Sequence, residues 1–204
     1  MIGAVHPLPQ VTITHTGPVF TVERHVIALR NDARTLIKDV VRHPGAVTVI
    51  AVKSDGTLVL VRNQRIAVGQ ALVEFCAGKL ERGEAPALAA ARELEEETGF
   101  SAGKIERLGE FFTSPGFTDE RMHVFLATDL TPVPQRLEPG EELEVVTMSV
   151  AQLRAQIARG EILDGKTLGA FLLWSLRADT STEIDTATQT QTQTQTPPKQ
   201  EPAR

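Results

Sequence analysis

Residues 78 to 100 read Gly78-Lys79-Leu80-Glu81-Arg82-Gly83-Glu84-Ala85-Pro86-Ala87-Leu88-Ala89-Ala90-Ala91-Arg92-Glu93-Leu94-Glu95-Glu96-Glu97-Thr98-Gly99-Phe100. Pro86 stands at an early helical position, good helix formers follow it, and Gly99 stands where a C-terminal cap belongs, which predicts a helix over 86–98. At about 100° per residue, Glu93, Glu96 and Glu97 fall within an arc of about 100°, with Ala87, Leu88, Ala91 and Leu94 on the roughly opposed side. The expectation is a buried apolar face and a carboxylate face opposite it, with Glu95 beside the apolar edge and outside the cluster. A plain surface helix disfavours this arrangement. Glu93 and Glu97 are a like-charge pair one turn apart, costing about 0.2 to 0.5 kcal/mol, and no lysine on the helix relieves it. Three glutamates in the last turn also oppose the helix dipole, by about 0.3 to 1 kcal/mol each where exposed. Repeated local conflict at one spot points to function. Clustered carboxylate oxygens suit a hard divalent cation, and Mg2+ takes few protein ligands, leaving room for substrate phosphates.

Outward from this helix, strands and helices interleave. Val47 to Lys53 and Leu58 to Arg65 flank Ser54-Asp55-Gly56-Thr57, and Asp-Gly between apolar runs is a strong hairpin signal. Further upstream, Val11 to Thr16 and Val19 to Leu29 read as strands broken at Gly17-Pro18. Downstream, Lys104 to Phe112, Met122 to Thr128 and Leu143 to Met148 read as strands. Ser149 with Gln152 is a capping-box signature opening a second helix through about Ala158, and Leu168 to Leu176 fits a third. The pattern predicts an α/β fold, a mixed sheet with helices on both faces, preceded by an antiparallel strand region. The expected division is N-terminal strands over 1–44, a catalytic domain over 45–178, and a low-complexity, disordered tail over 179–204, where Gln and Thr alternate.

Composition narrows the function. The net charge of −5 argues against a nucleic-acid partner. Between Gly78 and Phe100 six acids face three bases, so this segment alone is acidic. The longest apolar stretch, Leu168 to Leu176, is far below the roughly 20 residues that span a bilayer. The first basic residue is Arg24, so no charged region precedes an apolar stretch as in a secretory signal, and the protein is expected in the cytoplasm without membrane attachment. The single cysteine, Cys76, reads as a small buried hydrophobe rather than a catalytic thiol.

Gly78, Glu84 and the run Arg92-Glu93-Leu94-Glu95-Glu96-Glu97-Thr98-Gly99-Phe100 resemble the Nudix box at every defined position, including apolar Leu94 and Phe100. The resemblance implies an α/β/α sandwich and hydrolysis of a nucleoside diphosphate linked to a variable group. It implies Glu93 and Glu97 as main metal ligands, Glu96 assisting, and the carbonyl of Ala77 completing a site for Mg2+, with Mn2+ as a substitute. Arg92 would orient these carboxylates by bidentate hydrogen bonds, and Glu84 would brace the loop through the box.

The flanks are similar to the ADP-ribose pyrophosphatase subgroup. Pro115 lies sixteen residues beyond Gly99, within Ser114-Pro115-Gly116-Phe117. Val61-Arg62-Asn63-Gln64-Arg65 followed by Leu72-Val73-Glu74-Phe75-Cys76-Ala77-Gly78 is similar to the subgroup's approach to the box, where Arg65 would contact phosphate and Glu74 the adenine edge. Plain readings stand beside these: a Pro-Gly turn for Pro115 and a solvated strand end for Arg65. With no tyrosine in the chain, the diadenosine polyphosphate branch loses its marker, and no Ser-Gln-Pro-Trp-Pro-Phe segment marks the NADH branch. The resemblance implies a catalytic base in the acidic loop around Pro139-Gly140, with Glu141 favoured and Glu142 next, and a solvated acidic loop as the alternative. It also implies a homodimer in which Phe20 and Arg24 reach the site of a second subunit; both are otherwise core strand residues. The expected reaction converts ADP-ribose to AMP and ribose 5-phosphate. Its rivals are a nucleotide sugar or an oxidised nucleotide as substrate, or a non-catalytic module that senses a nucleotide.

Overall fold

The computed structural model describes residues 10–29, 34–138 and 140–177. The tail expected over 179–204 and the first nine residues of the N-terminal region lie outside them. Two sheets form. The first is antiparallel, in the order β1-β2-β3, built from β1 (Gln10–Thr16), β2 (Thr21–Ala28) and β3 (Thr35–Arg42). The sequence reading had no strand at β3, where Lys38 and Asp39 interrupt two short apolar pairs. The second sheet has seven strands: β4 (Ala46–Val52), β5 (Leu58–Arg65), β6 (Gln70–Glu74), β7 (Cys76–Lys79), β8 (Phe100–Phe112), β9 (Arg121–Pro132) and β10 (Leu143–Met148). Its spine runs β10-β5-β4-β9-β8, and the β4–β9 pair is parallel while the others are antiparallel, so the sheet is mixed.

Strand β4 carries alternating side chains to two cores. Val47, Val49 and Ala51 pack with Ala89, Ala90 and Leu94 of α1 (Pro86–Thr98). Ile50 packs on the other side with Leu153 of α2 (Val150–Ala158) and with Ala170 and Phe171 of a third helix, α3, over 165–177. This is the α/β/α sandwich that the two hydrophobic periodicities require. Local signals act where expected: Gly56 is left-handed at φ 79° in the β4–β5 hairpin, and Ser149 and Gln152 form a reciprocal capping box on α2.

One register detail opens the site. Strand β5 pairs with β4 through Val59 and Leu58, then diverges to pair with β6. The place left beside the first half of β4 is taken by β7, from Ala46↔Lys79 to Val49↔Cys76. The chain therefore steps from one strand to the next at Phe75, leaving a notch between β5–β6 and β7.

Candidate active site

Helix α1 begins at Pro86 and ends at Gly99, whose φ of 69° forms the left-handed cap, its N–H donating to the Glu95 carbonyl at 3.1 Å. The buried residues of α1 correct the expected split of its faces. Glu93 and Glu97 are 8% and 4% exposed and lie on the buried side with Ala90 and Leu94, whereas Leu88 is 66% exposed. The stripe Ala90-Glu93-Leu94-Glu97 follows the spacing that presents one face to the sheet, so the carboxylates enter the protein together with the apolar residues. Glu95 stays outside this cluster and pairs with Arg136 at 3.4 Å.

Burial is felt in protonation. Desolvation pushes the Glu97 carboxyl up to about 7, against a hydrogen bond from the Ala77 N–H at 3.0 Å, and the negative charges of Glu93 and Glu141 add to the rise. Glu93 is also raised, by burial first, with Arg92 opposing. Cys76, fully buried beside Glu97, is pushed well up, so its thiol stays protonated and inert.

Arg92 is the hub of the box. Its Nε and Nη2 grip the two oxygens of Glu84, both at 3.0 Å, while Nη1 donates to Glu93 at 2.8 Å and to Glu96 at 3.1 Å. The bidentate grip is thus on Glu84, and Glu93 and Glu96 receive single bonds. Glu84 in turn accepts from the Glu81 N–H at 3.0 Å, which ties the loop before the helix to its middle.

Beside this cluster lies a cleft of about 550 Å³. Arg65, Lys79 and Lys166 give it a cationic wall, His43, Thr113 and Glu120 line it from elsewhere in the chain, and Gly78 and Ala77 edge it. Gly78 belongs to both halves of the site. The Glu93 carboxylate rests so close to it that a Cβ on Gly78 would overlap the carboxylate carbon and both oxygens. The charge of Glu97 also reaches Arg65, helping to keep its guanidinium protonated after the larger effect of Glu74.

Arg65 and Glu74 meet as a bidentate pair at 2.8 and 2.5 Å, with Glu74 fully buried. Lys166 donates to Glu74 at 3.3 Å and to Asp164 at 2.5 Å. Asp164 caps α3 by accepting from the Thr167 N–H at 2.9 Å, and Thr167 Oγ1 accepts from the Phe75 N–H at 2.9 Å. The start of α3 is thereby fastened to the step between β6 and β7.

A family profile described as the NUDIX domain matches residues 42–168, more than half of the chain. The chain belongs to the Nudix family. It is 40% identical over 142 residues to an ADP-ribose pyrophosphatase of Bacillus subtilis (strain 168), covering 69% of this chain and 77% of that protein. A methanol dehydrogenase activator of Bacillus methanolicus is 37% identical over 155 residues, covering 75% of this chain and 83% of that protein. An ADP-ribose pyrophosphatase of Mycobacterium tuberculosis (strain ATCC 25618 / H37Rv) is 35% identical over 162 residues, 78% of this chain and 77% of that one. A crystal structure of an ADP compounds hydrolase superposes with a TM-score of 0.73 at 22% identity, covering 88% of this chain and 98% of that chain, a likeness of fold.

Nudix hydrolases work with a divalent metal, and the donor chemistry fits one. Two buried carboxylates stand one turn apart with the Glu141 charge acting on both; Glu93 is bonded to Arg92, while Glu97 accepts from the Ala77 N–H and interacts by charge with Arg65. Among the described residues, no three acidic, histidine or cysteine side chains converge on one point as they stand. Arg92 binds one oxygen of Glu93 and one of Glu96, and the second oxygen of each carboxylate is the one suited to a metal.

The remaining predicted residues are scattered. Glu141 sits in the loop between β9 and β10, near enough for its charge to raise Glu93 and Glu97; Glu142 lines a separate shallow groove with Arg62, Gln64 and Glu144. Pro115 is exposed in the turn joining β8 to β9, whose ends Thr113 and Glu120 edge the cleft, Thr113 Oγ1 donating to Glu120 at 2.6 Å. Phe20 closes the turn between β1 and β2 and Arg24 lies on β2; both are exposed, so neither is the core strand residue expected, and neither lines the cleft; Arg24 pairs with Asp39 at 2.8 Å. The sequence reading missed Lys166, Asp164 and Glu120. Only Asp164 carried a local signal, an acid three residues before Thr167 at the start of a helix. Among the described residues no helix is long and apolar enough to cross a membrane.

Proposed function

We propose that this Nudix hydrolase cleaves the diphosphate of ADP-ribose to AMP and ribose 5-phosphate in the cytoplasm, with Mg2+ as its metal and Mn2+ as a substitute. The observation that carries the reading is the junction at Gly78 of a cationic cleft with a buried pair of glutamates. Two relatives named ADP-ribose pyrophosphatase support the choice of substrate.

Glu93, Glu97 and Glu96 with the Ala77 carbonyl would hold Mg2+, which when bound supplies charge neutralisation at the diphosphate. Arg65 and Lys166 face the anionic substrate from the cleft wall; Glu74, buried with both oxygens held by these two cations, would meet the adenine edge once Arg65 swings out to the substrate. Glu141 takes a proton from the attacking water; its oxygen bonds to one phosphorus as the bridging P–O bond breaks, and the departing phosphate carries the electron pair and gains a proton. Arg92 restrains Glu93 and Glu96, and the turn at Pro115 borders the distal end of the substrate. Residues 45–178 form the catalytic unit, and residues 1–44 form an arm that pairs two subunits, bringing Phe20 and Arg24 to the partner's site. Support for the arm is β1, an edge strand with Val11 48% and Ile13 61% exposed, the kind of open edge that proteins normally cover.

Incubation of the metal-replete protein with a panel of nucleoside diphosphate derivatives tests the reading. AMP and ribose 5-phosphate from ADP-ribose, faster than products from GDP-sugars or triphosphates, are expected; preference for another member of the panel reassigns the substrate, and binding without turnover of any member leaves a sensing module. Glu141→Gln is expected to lower kcat by two or more orders of magnitude with KM nearly unchanged. Turnover retained in that variant and lost in Glu142→Gln moves the base to Glu142.

A further inference from the structure

The end of α1 and the loop that carries Glu141 are fastened together. A helix leaves its last carbonyls without partners inside the helix. Here the Glu95 carbonyl takes the Gly99 N–H, the Glu96 carbonyl takes the Arg136 N–H at 3.1 Å, and the Glu97 carbonyl takes the side-chain amide of Gln135 at 2.6 Å. The Val133 N–H donates to the Gly99 carbonyl at 2.9 Å, and a Cβ on Gly99 would stand 3.0 Å from the Val133 oxygen, so a glycine there makes room for the loop as well as turning the helix.

Beyond Arg136 the chain reaches Glu141 in five residues, which span at most about 17 Å even when fully extended. The loop is shorter than that because it doubles back: the Glu141 N–H donates to the Glu138 carbonyl at 3.0 Å, and the Glu138 N–H donates to the Glu141 carboxylate at 2.9 Å. Lys79, on the cleft wall, lies 3.8 Å from Glu138 and adds a second tether, to β7. Glu141 is therefore held at short range from both ends of the metal-binding segment.

We propose that Gln135 is a positioning residue for the hydrolysis: its amide on the Glu97 carbonyl latches the loop 133–142 to the end of α1 and so aims the Glu141 carboxylate at the site formed by Glu93 and Glu97. The proposal rests on the reading of Glu141 as the base. Gln135 touches neither substrate nor metal and acts through Glu141. Its carbonyl partner belongs to the residue whose side chain is the proposed ligand, so this hydrogen bond, with the Arg136 N–H on the Glu96 carbonyl beside it, links displacement of the loop to displacement of the ligands.

The test is a double-mutant cycle in the full chain with Mg2+. Gln135→Met keeps length and removes the donor; its kcat should fall about ten- to a hundred-fold, the scale of a misplacement near 1 Å, with KM for ADP-ribose within about two-fold of the parent. Gln135→Lys, which restores a donor at a helix C-terminus, should recover most of the turnover. In the Glu141→Gln background the same Gln135→Met change should have little further effect, because the group it aims is gone. Unchanged kcat in Gln135→Met, or an equal loss with and without Glu141, overturns the latch. Turnover retained in Glu141→Gln alone overturns the base assignment instead, and the latch with it.

Discussion

At the scale of single residues the site is governed by close approach and burial. Gly78 has no side chain because Glu93 occupies the space where one would be. Gly78→Ala is therefore expected to displace the Glu93 carboxylate, lowering kcat by about a hundred-fold or more and raising the Mg2+ concentration needed for half-maximal turnover; a metal titration of the variant checks both. A near-normal titration would show that the carboxylate has another place to go. The same burial explains what the sequence did and did not disclose at this scale. The spacing of Glu93, Glu96 and Glu97 showed that they share a helix side, which is a property of the helix alone. That Glu93 and Glu97 face the sheet depends on where α1 docks, and helical geometry contains no information about that. Lys166 and Glu120 are 92 and 46 positions from Glu74 in the chain, and the fold is what makes them neighbours of the same cleft.

At the scale of elements, local chemistry and tertiary contact divide the work. The Asp55-Gly56 hairpin, the Ser149 capping box and the Gly99 cap are each complete within a few residues, and each was legible. Strands β3, β6 and β7 draw their stability from neighbours, and their short or charged sequences show little of it. The start of α3 lies between these cases. Asp164 is buried, which alone would raise its pKa, yet Lys166 and the Thr167 hydroxyl and N–H hold it below the ordinary value of 3.8. A lowered folded-state pKa means stability that is present above the unfolded value and lost as pH falls through the folded one. Asp164→Ala should cost about 1 kcal/mol at neutral pH from loss of the cap, or a Tm lower by about 2 to 4 °C. Thermal melts at descending pH should show the gap between parent and variant holding until about pH 4 and narrowing below it. A gap that widens in acid would mean that the carboxyl is not the ionised cap described above.

At the scale of the molecule, two sheets share the chain and are joined through a narrow seam. The end of β3 is bound to the β8–β9 connection by the Val41 N–H on the Phe117 carbonyl at 2.8 Å and by Arg42 on Asp119 at 3.1 Å. Most of the first sheet remains uncovered, and Val11 and Ile13, two residues apart on β1, present apolar surface from one side of it. Replacement of both by lysine is expected to convert a dimer to a monomer in sedimentation equilibrium while leaving the Tm of the catalytic unit within a few degrees; a parent protein that sediments as a monomer removes the proposed shared site. The mixed sheet has a different consequence, for biosynthesis. On the ribosome β4 is finished well before β9, its parallel neighbour, because α1 and β8 are made in between. Six of its seven residues are apolar, so the nascent chain carries an open, sticky edge throughout that interval. Helix α1 packs mainly on β7, β8 and β4, all made before β9 closes that edge, and Glu141 emerges later still. A chain interrupted in translation before Arg121 would thus be a client for chaperones and proteases while possessing the whole of the Gly78–Phe100 segment.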